Sequence, residues 1–174
     1  MKYFTIGVWA GEGDFAEAHS IYHAYIVSVA DLLPEGARTL ISGGGSLCFA
    51  DARLRHLDVD IPAGTVSLRF TADVKDAEQL DERNGAWKII AHRLDLRYRS
   101  VVRLESTGDP RTGLPGPNGY GDFGFDEFEI REDGHVVHRL LFSNGIELHI
   151  AFKEMDIHLA EFPDSLLPQR GEKG

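Results

Sequence analysis

The sequence is poor in cysteine and has no long apolar run. Its 174 residues include a single cysteine, Cys48, which excludes an intrachain disulfide and favours a reducing compartment. No stretch approaches the roughly 18 consecutive apolar residues of a membrane-spanning helix. The opening residues MKYFTIGVW also lack the apolar core and cleavage site of a secretory signal. We therefore expect a cytoplasmic protein that does not enter a membrane.

Positive charge is also scarce. Lysine and arginine together number 18 against 28 aspartates and glutamates, which gives a net charge of −10. A surface of this sign repels nucleic acids and anionic membranes, so neither is an expected partner. The same charge suits a basic protein partner, and self-association is the alternative.

The common catalytic motifs are missing. There is no G-x-S-x-G nucleophile elbow, and no lysine follows a glycine run as in a phosphate-binding loop. His19 and His23 are four residues apart and would share one face of a helix, which is half of a metal site. Because no third ligand can be identified, they are only weak metal candidates, and no cofactor is expected.

The most regular pattern spans residues 125–162, where three alternating runs are separated by Glu132–Gly134 and Ser143–Gly145. This is typical of an antiparallel meander. A three-residue loop at Ser143–Gly145 pairs His138 with Ile150 and puts the large apolar residues on one face. A two-residue loop would mix the faces. The predicted apolar face consists of Phe128, Ile130, Val136, His138, Leu140, Phe142, Ile146, Leu148, Ile150 and Phe152. The opposite face, predicted to be solvated, carries Glu127, Glu129, Arg139, Glu147, His149 and Lys153.

The rest of the chain predicts one helix among further strands. Asp14 precedes apolar residues spaced by three and four, which predicts a helix over about 15–33, although 21–29 could also form a buried strand. Pro62–Thr65 predicts a hairpin loop that pairs Val59 with Leu68 and Leu57 with Phe70. The other expected elements are a strand at 3–9, a helical turn at 37–41, a strand at 47–61, a surface loop at 75–85 and a long strand at 87–105 that bends at 100–101.

These elements predict an α+β fold that is predominantly antiparallel β. About seven to eight strands should form a sandwich or a curved half-barrel, with the one N-terminal helix packed on it. Residues 1–162 are expected to form one globular domain, and residues 163–174 a flexible tail.

Two regions are candidates for binding. The stretch Ser106–Gly124 holds six glycines and three prolines, so we expect a functional or disordered loop. Its candidate contact residues are Asp109, Arg111, Asn118, Tyr120, Asp122 and Phe123. The second region is a charged sheet face with Arg97, Arg99, Glu127, Arg139, Glu147 and His149. The arginine stripe of the long strand (Arg93, Arg97, Arg99, Arg103) is expected to pair with the acids Glu127, Glu129 and Glu147.

The sequence thus predicts a non-enzymatic binding module for a protein partner. One alternative is a small metal-dependent enzyme that uses His19 and His23. The other is a small-molecule carrier whose ligand lies inside the curved sheet, in a cavity behind Tyr98, His138 and Phe152.

Overall fold

The computed structural model describes residues 1–42, 52–81, 86–107 and 120–161. The helical elements are α1 (Ile6–Trp9), α2 (Phe15–Val29), a 3₁₀ turn (Ala30–Leu32) and α3 (Glu35–Ser42). The strands are β1 (Arg53–Asp60), β2 (Thr65–Asp81), β3 (Ala86–Arg99), β4 (Arg103–Thr107), β5 (Phe123–Ile130), β6 (Val136–Phe142), β7 (Glu147–Phe152) and β8 (Glu154–Glu161). Cys48 and the predicted tail at 163–174 lie outside the described residues.

The strands form two antiparallel sheets of four strands each. The first sheet has the order β1-β2-β3-β8 and the second has the order β4-β7-β6-β5. Together with the helices they give an α+β fold, as the sequence predicted. Within the described residues, no helix is both long and apolar enough to cross a membrane.

The two sheets are joined where the chain passes from one to the other. One crossing is at Ser100, between β3 and β4, and the other is at Lys153, between β7 and β8. Backbone hydrogen bonds continue across this corner, from Lys153 N to Arg99 O at 3.2 Å and from Val102 N to Ala151 O at 2.9 Å. Ser100 has a φ of 53°, which makes the sharp turn. The predicted bend at 100–101 is therefore confirmed, but it separates strands of different sheets.

The opposite edges also meet. Arg53 of β1 forms an isolated antiparallel bridge with Asp122, just before β5, and Phe123 N donates to Ala52 O at 2.7 Å. The two sheets therefore meet on both sides, and their inner faces enclose the core. The largest fully buried side chains are Tyr98, Phe70, Phe128, Phe142, Phe152, Leu68, Leu96, Leu140, Leu141, Ile146, Leu148 and Ile150.

Helix α2 rests on the edge of the second sheet. Its N-cap is Asp14, whose side chain accepts a hydrogen bond from Glu17 N at 3.0 Å. The hydroxyls of Tyr22 and Tyr25 accept hydrogen bonds from the backbone of β5, at Phe128 N (2.7 Å) and Ile130 N (2.9 Å). Since β5 is an edge strand, these bonds satisfy N–H groups that would otherwise be open to pairing with another chain. The helical prediction is confirmed over the buried-strand alternative.

The meander register is confirmed, but the first hairpin is shifted. His138 pairs with Phe128 and Ile150 as predicted, and Gly145 has a φ of 79° in the Ser143–Gly145 loop. In the β1–β2 hairpin, Leu57 pairs with Leu68 and not with Phe70. A shift of two residues leaves every side chain on its face, so the apolar pattern could not distinguish the two registers.

Two predicted elements are wrong. The segment 3–9 is not a strand: Thr5 caps a short helix by accepting a hydrogen bond from Val8 N at 3.3 Å, and α1 follows. The segment 75–85 was predicted to be a surface loop, but its residues 75–81 belong to β2. This strand continues to Asp81 and pairs Leu80 with Trp87 of β3. Its polar composition fits an extension of the hairpin that is held by backbone pairing.

A matched pair of glycines tests the packing of α3 on β8. A Cβ atom at Gly36 would overlap the backbone carbonyl of Met155, whereas one at Gly7 would meet its nearest neighbour, Thr5 Oγ1, at 3.6 Å. We expect Gly36→Ala to lower the free energy of unfolding by about 1–3 kcal/mol, measured by urea denaturation, because backbone must move. Gly7→Ala should cause no loss. Equal stability of the two variants would contradict this packing.

Candidate functional site

A cavity of about 350 Å³ lies between α2, α3 and the inner faces of the two sheets. Phe15, His19 and His23 of α2 line it and are exposed, so the cavity opens to solvent beside this helix. Most of the lining is apolar and aromatic. The described residues that line it are Phe4, Phe15, His19, Tyr22, His23, Ile26, Leu40, Ile41, Phe70, Leu94, Leu96, Phe123, Gly124, Phe125, Asp126, His138 and Leu140.

One wall of the cavity is an aromatic cluster. The ring of Phe4 stacks on Phe125 with centroids 5.1 Å apart, and Phe15 stacks on Phe125 at 5.6 Å. Tyr22 meets Phe4 edge to face at 5.4 Å. These spacings are those of favourable aromatic pairs, so the rings support one another and keep the wall in place.

Two polar side chains of the lining, Asp126 and His138, belong to a hydrogen-bond chain that continues to the buried Tyr98. The hydroxyl of Tyr98 lies 2.8 Å from His138 Nδ1, and His138 Nε2 lies 2.9 Å from Asp126 Oδ2. An ionised carboxylate only accepts, so we assign the imidazole proton to Nε2, which donates to Asp126. Nδ1 then accepts from the Tyr98 hydroxyl. This assignment corresponds to the Nε2–H tautomer of His138.

The surroundings of Tyr98 and His138 favour this assignment. Burial, and then the negative charge of Asp126, raise the pKa of the Tyr98 hydroxyl well above its ordinary value, so it stays protonated and can donate. Phe128 stacks on the His138 ring with centroids 4.0 Å apart, and Phe152 meets the Tyr98 ring at 4.9 Å. Both rings are thus fixed, and they hold Asp126 in position.

Asp126 is the carboxylate of the hydrogen-bond chain, and it lines the cavity. Its side chain keeps 33% of its exposure, whereas the His138 side chain has none. Among the described residues that line the cavity, it is the only acidic one. The charge of Asp126 also raises the pKa of the Tyr22 hydroxyl, after the larger effect of burial, which places the two side chains in one electrostatic environment.

The next residue, Glu127, points to the other face of β5 and holds the leading segment (residues 1–5). Its buried carboxylate accepts hydrogen bonds from Lys2 N at 2.8 Å and from Tyr3 N and Phe4 N at 2.6 Å each. These bonds position Phe4 in the aromatic wall. The prediction that the polar face of the meander is solvated is therefore wrong at Glu127, because the leading segment covers it.

His19 and His23 lie together at the cavity opening. Their rings are 6.2 Å apart with an interplanar angle of 19°, as their spacing on a helix predicted. In the part of the chain that the structure describes, no group of three or more histidine, cysteine, aspartate or glutamate side chains is placed to hold a metal ion.

The loop candidates divide into three groups. Asp109, Arg111 and Asn118 lie outside the described residues. Tyr120 packs on Phe142 with ring centroids 5.3 Å apart, and Asp122 forms an ion pair with Arg53 at 3.0 Å. Phe123 is buried and lines the cavity. Of these three residues, only Phe123 lies at the cavity. Tyr120 packs on the second sheet, and Asp122 contacts the first strand of the other sheet.

The candidates on the charged face are split between the two sheets. Glu127, Arg139 and His149 are neighbours across β5, β6 and β7, and Glu147 accepts from His149 Nε2 at 2.8 Å. Arg97 and Arg99 belong to the first sheet.

The expected pairing of the arginine stripe with the acids of the meander is not observed. Arg99 pairs with Glu154 and Asp156 of β8 at 3.0 Å each. Arg93 binds Asp95, and Arg103 binds Glu105, on their own strands. The prediction failed for the arginines of β3 because the turns at Ser100 and Lys153 place β8 beside β3. Glu127, Glu129 and Glu147 lie on β5 and β7 of the other sheet.

Sequence reasoning missed Asp126, although a signal was present. Asp126 precedes Phe128 by two residues, so the predicted register itself places it on the face that carries His138. The aromatic wall had no comparable signal, because Phe4 and Phe125 meet only after α1 and α2 have been placed.

The hydrogen-bond chain predicts a specific cost for losing the Tyr98 hydroxyl. Tyr98→Phe leaves His138 Nδ1 buried without a donor, which should lower the free energy of unfolding by about 1–3 kcal/mol in urea denaturation. Tyr120→Phe is the control, since its hydroxyl has no partner among the described residues, and it should change stability by less than about 0.5 kcal/mol. In the wild type, ¹⁵N spectra of His138 should show the Nε2–H tautomer. A protonated Nδ1 would contradict the assignment.

The leading segment should depend on Glu127. Glu127→Ala removes three hydrogen bonds to a buried carboxylate. We expect a loss of about 3 kcal/mol in unfolding free energy and faster hydrogen exchange at the amides of residues 2–4. The control is Glu129→Ala on the same strand as Glu127, which removes a partly exposed ion pair with Arg139 of β6. It should cost less than about 1 kcal/mol and leave that exchange unchanged. Unchanged exchange in both variants would refute this role.

Comparison of the chain with protein-family models, with curated proteins and with solved structures gives no match.

Proposed function

We propose that the protein is a non-enzymatic binding protein for a small, largely apolar molecule, which it holds in the cavity beside α2. The observation that carries this proposal is the cavity itself: about 350 Å³, lined mainly by aromatic and aliphatic side chains, with a few convergent polar groups. That combination is typical of small-molecule sites. Its single cysteine fits a role in the cytoplasm.

The volume limits the size of the ligand. An apolar cavity of about 150 Å³ is known to take up benzene. A cavity of about 350 Å³ has more than twice that volume, which suits a two-ring aromatic molecule or an aliphatic one of similar bulk. Larger ligands would have to displace α2 or the leading segment.

The rigidity of the walls supports binding as the role of the cavity. The leading segment is held by Glu127, and α2 is held on β5 by the hydroxyls of Tyr22 and Tyr25. A site that is already ordered loses little conformational entropy when a ligand enters. An apolar molecule can therefore gain affinity from burial against rings that are already in place.

A protein partner is the second proposed function, and one observation favours it. Ile21 and Val27 of α2, and Leu32 of the 3₁₀ turn, are 50%, 63% and 67% exposed. Large exposed apolar side chains on a helix and on the turn that follows it are a feature of interaction surfaces. A basic protein, which the net charge of −10 would attract, or a second copy of the chain could cover them.

A pair of isoleucine variants tests the small-molecule proposal. Neutral two-ring probes (naphthalene, 2-naphthol and indole) should bind the wild type with a Kd below about 1 mM in calorimetry, because the cavity buries most of their surface. Ile41 lines the cavity, whereas Ile157 is equally half-buried but lies outside it. Ile41→Trp should weaken binding by about tenfold or more by filling the space, and Ile157→Trp should not. Failure of all three probes to bind would overturn the proposal.

A further inference from the structure

The Asp126 carboxylate is the one acidic group among the described residues that line the cavity. Its hydrogen-bond partner is His138, whose Nε2 lies 2.9 Å from Asp126 Oδ2 and whose Nδ1 lies 2.8 Å from the Tyr98 hydroxyl. No lysine or arginine side chain that the structure describes forms an ion pair with Asp126. A carboxylate beside apolar groups is costly unless a cation or several donors meet it. The cavity therefore offers its strongest electrostatic attraction to a positively charged group.

The aromatic wall adds to this preference. Phe125 directly precedes Asp126, and its ring stacks with Phe4 and Phe15, all of which line the cavity. The faces of aromatic rings attract cations, and the attraction grows when water is displaced. These rings and the Asp126 carboxylate line the same cavity, so both features favour a cation there.

The other ionisable groups among the described lining residues are Tyr22, His138, and His19 and His23 at the opening. A comparison of ligands at pH ~8 keeps ordinary histidine side chains uncharged. An anionic ligand would be repelled by Asp126, and a neutral hydroxyl would gain one hydrogen bond without the charge attraction.

We propose that the ligand is an aromatic amine in its ammonium form, with the ammonium group on the Asp126 carboxylate and the ring against Phe4, Phe15 and Phe125. This inference rests on the proposed small-molecule function and specifies the chemistry of the ligand.

Three probes of one shape and different charge test it at pH ~8: 2-naphthylmethylamine, 2-naphthylmethanol and 2-naphthoate. Calorimetry on the wild type should show the amine binding about tenfold or more tightly than the alcohol, and the carboxylate binding most weakly. Asp126→Asn keeps an oxygen that can accept from His138. It should abolish the preference for the amine while changing the affinity of the alcohol by less than about threefold. Glu129→Gln, on the same strand outside the cavity, should leave all three affinities unchanged.

The outcomes separate the two proposals. If the alcohol binds as tightly as the amine, or if Asp126→Asn keeps the preference, the inference is overturned while the small-molecule function stands. If none of the three probes binds the wild type, both fail. The wild-type comparison decides the matter even if Asp126→Asn does not fold.

Discussion

The hydrogen-bond chain from Tyr98 through His138 to Asp126 is the interaction on which the rest of the arrangement depends. Tyr98 belongs to β3 of the first sheet, whereas His138 and Asp126 belong to β6 and β5 of the second. The chain therefore crosses the apolar interior from one sheet to the other. Each group in the buried part of this chain has a partner, so the polar atoms are tolerated and fix how the sheets face each other. A purely apolar contact would allow more than one arrangement.

Two neighbouring carboxylates, on opposite faces of β5, have different roles at the site. Successive residues of a strand point to opposite sides, so Asp126 faces the interior and Glu127 faces outward. Glu127 fixes the leading segment through three backbone N–H groups, and that segment places Phe4 in the cavity wall. Asp126 supplies the charge of the same cavity. One short stretch of strand thus sets both the shape and the polarity of the site.

The sequence was most informative where a one-residue error would have reversed the faces of a strand. That constraint placed His138 correctly between Phe128 and Ile150 in the meander. It did not constrain the β1–β2 hairpin, where the two-residue shift at Leu57 keeps the faces. The prediction for the segment 3–9 was wrong for a different reason. Its three alternating apolar residues indicated a strand, but the segment forms the short helix that Thr5 caps. Local alternation over so few residues is too weak to exclude a helix.

The cavity was harder to predict because it depends on distances between elements and not on faces. The sequence predicted a cavity behind Tyr98, His138 and Phe152, but of these three residues only His138 belongs to the described lining. Tyr98 and Phe152 pack directly against each other, with ring centroids 4.9 Å apart. The observed space lies on the side of α2. Tyr22 and Tyr25 hold α2 on β5 because their hydroxyls accept hydrogen bonds from the backbone of the strand. In the sequence these two tyrosines look like ordinary members of an apolar helix face. In the fold a hydrogen bond at the far end of each ring fixes the helix, and Tyr22 also lines the cavity.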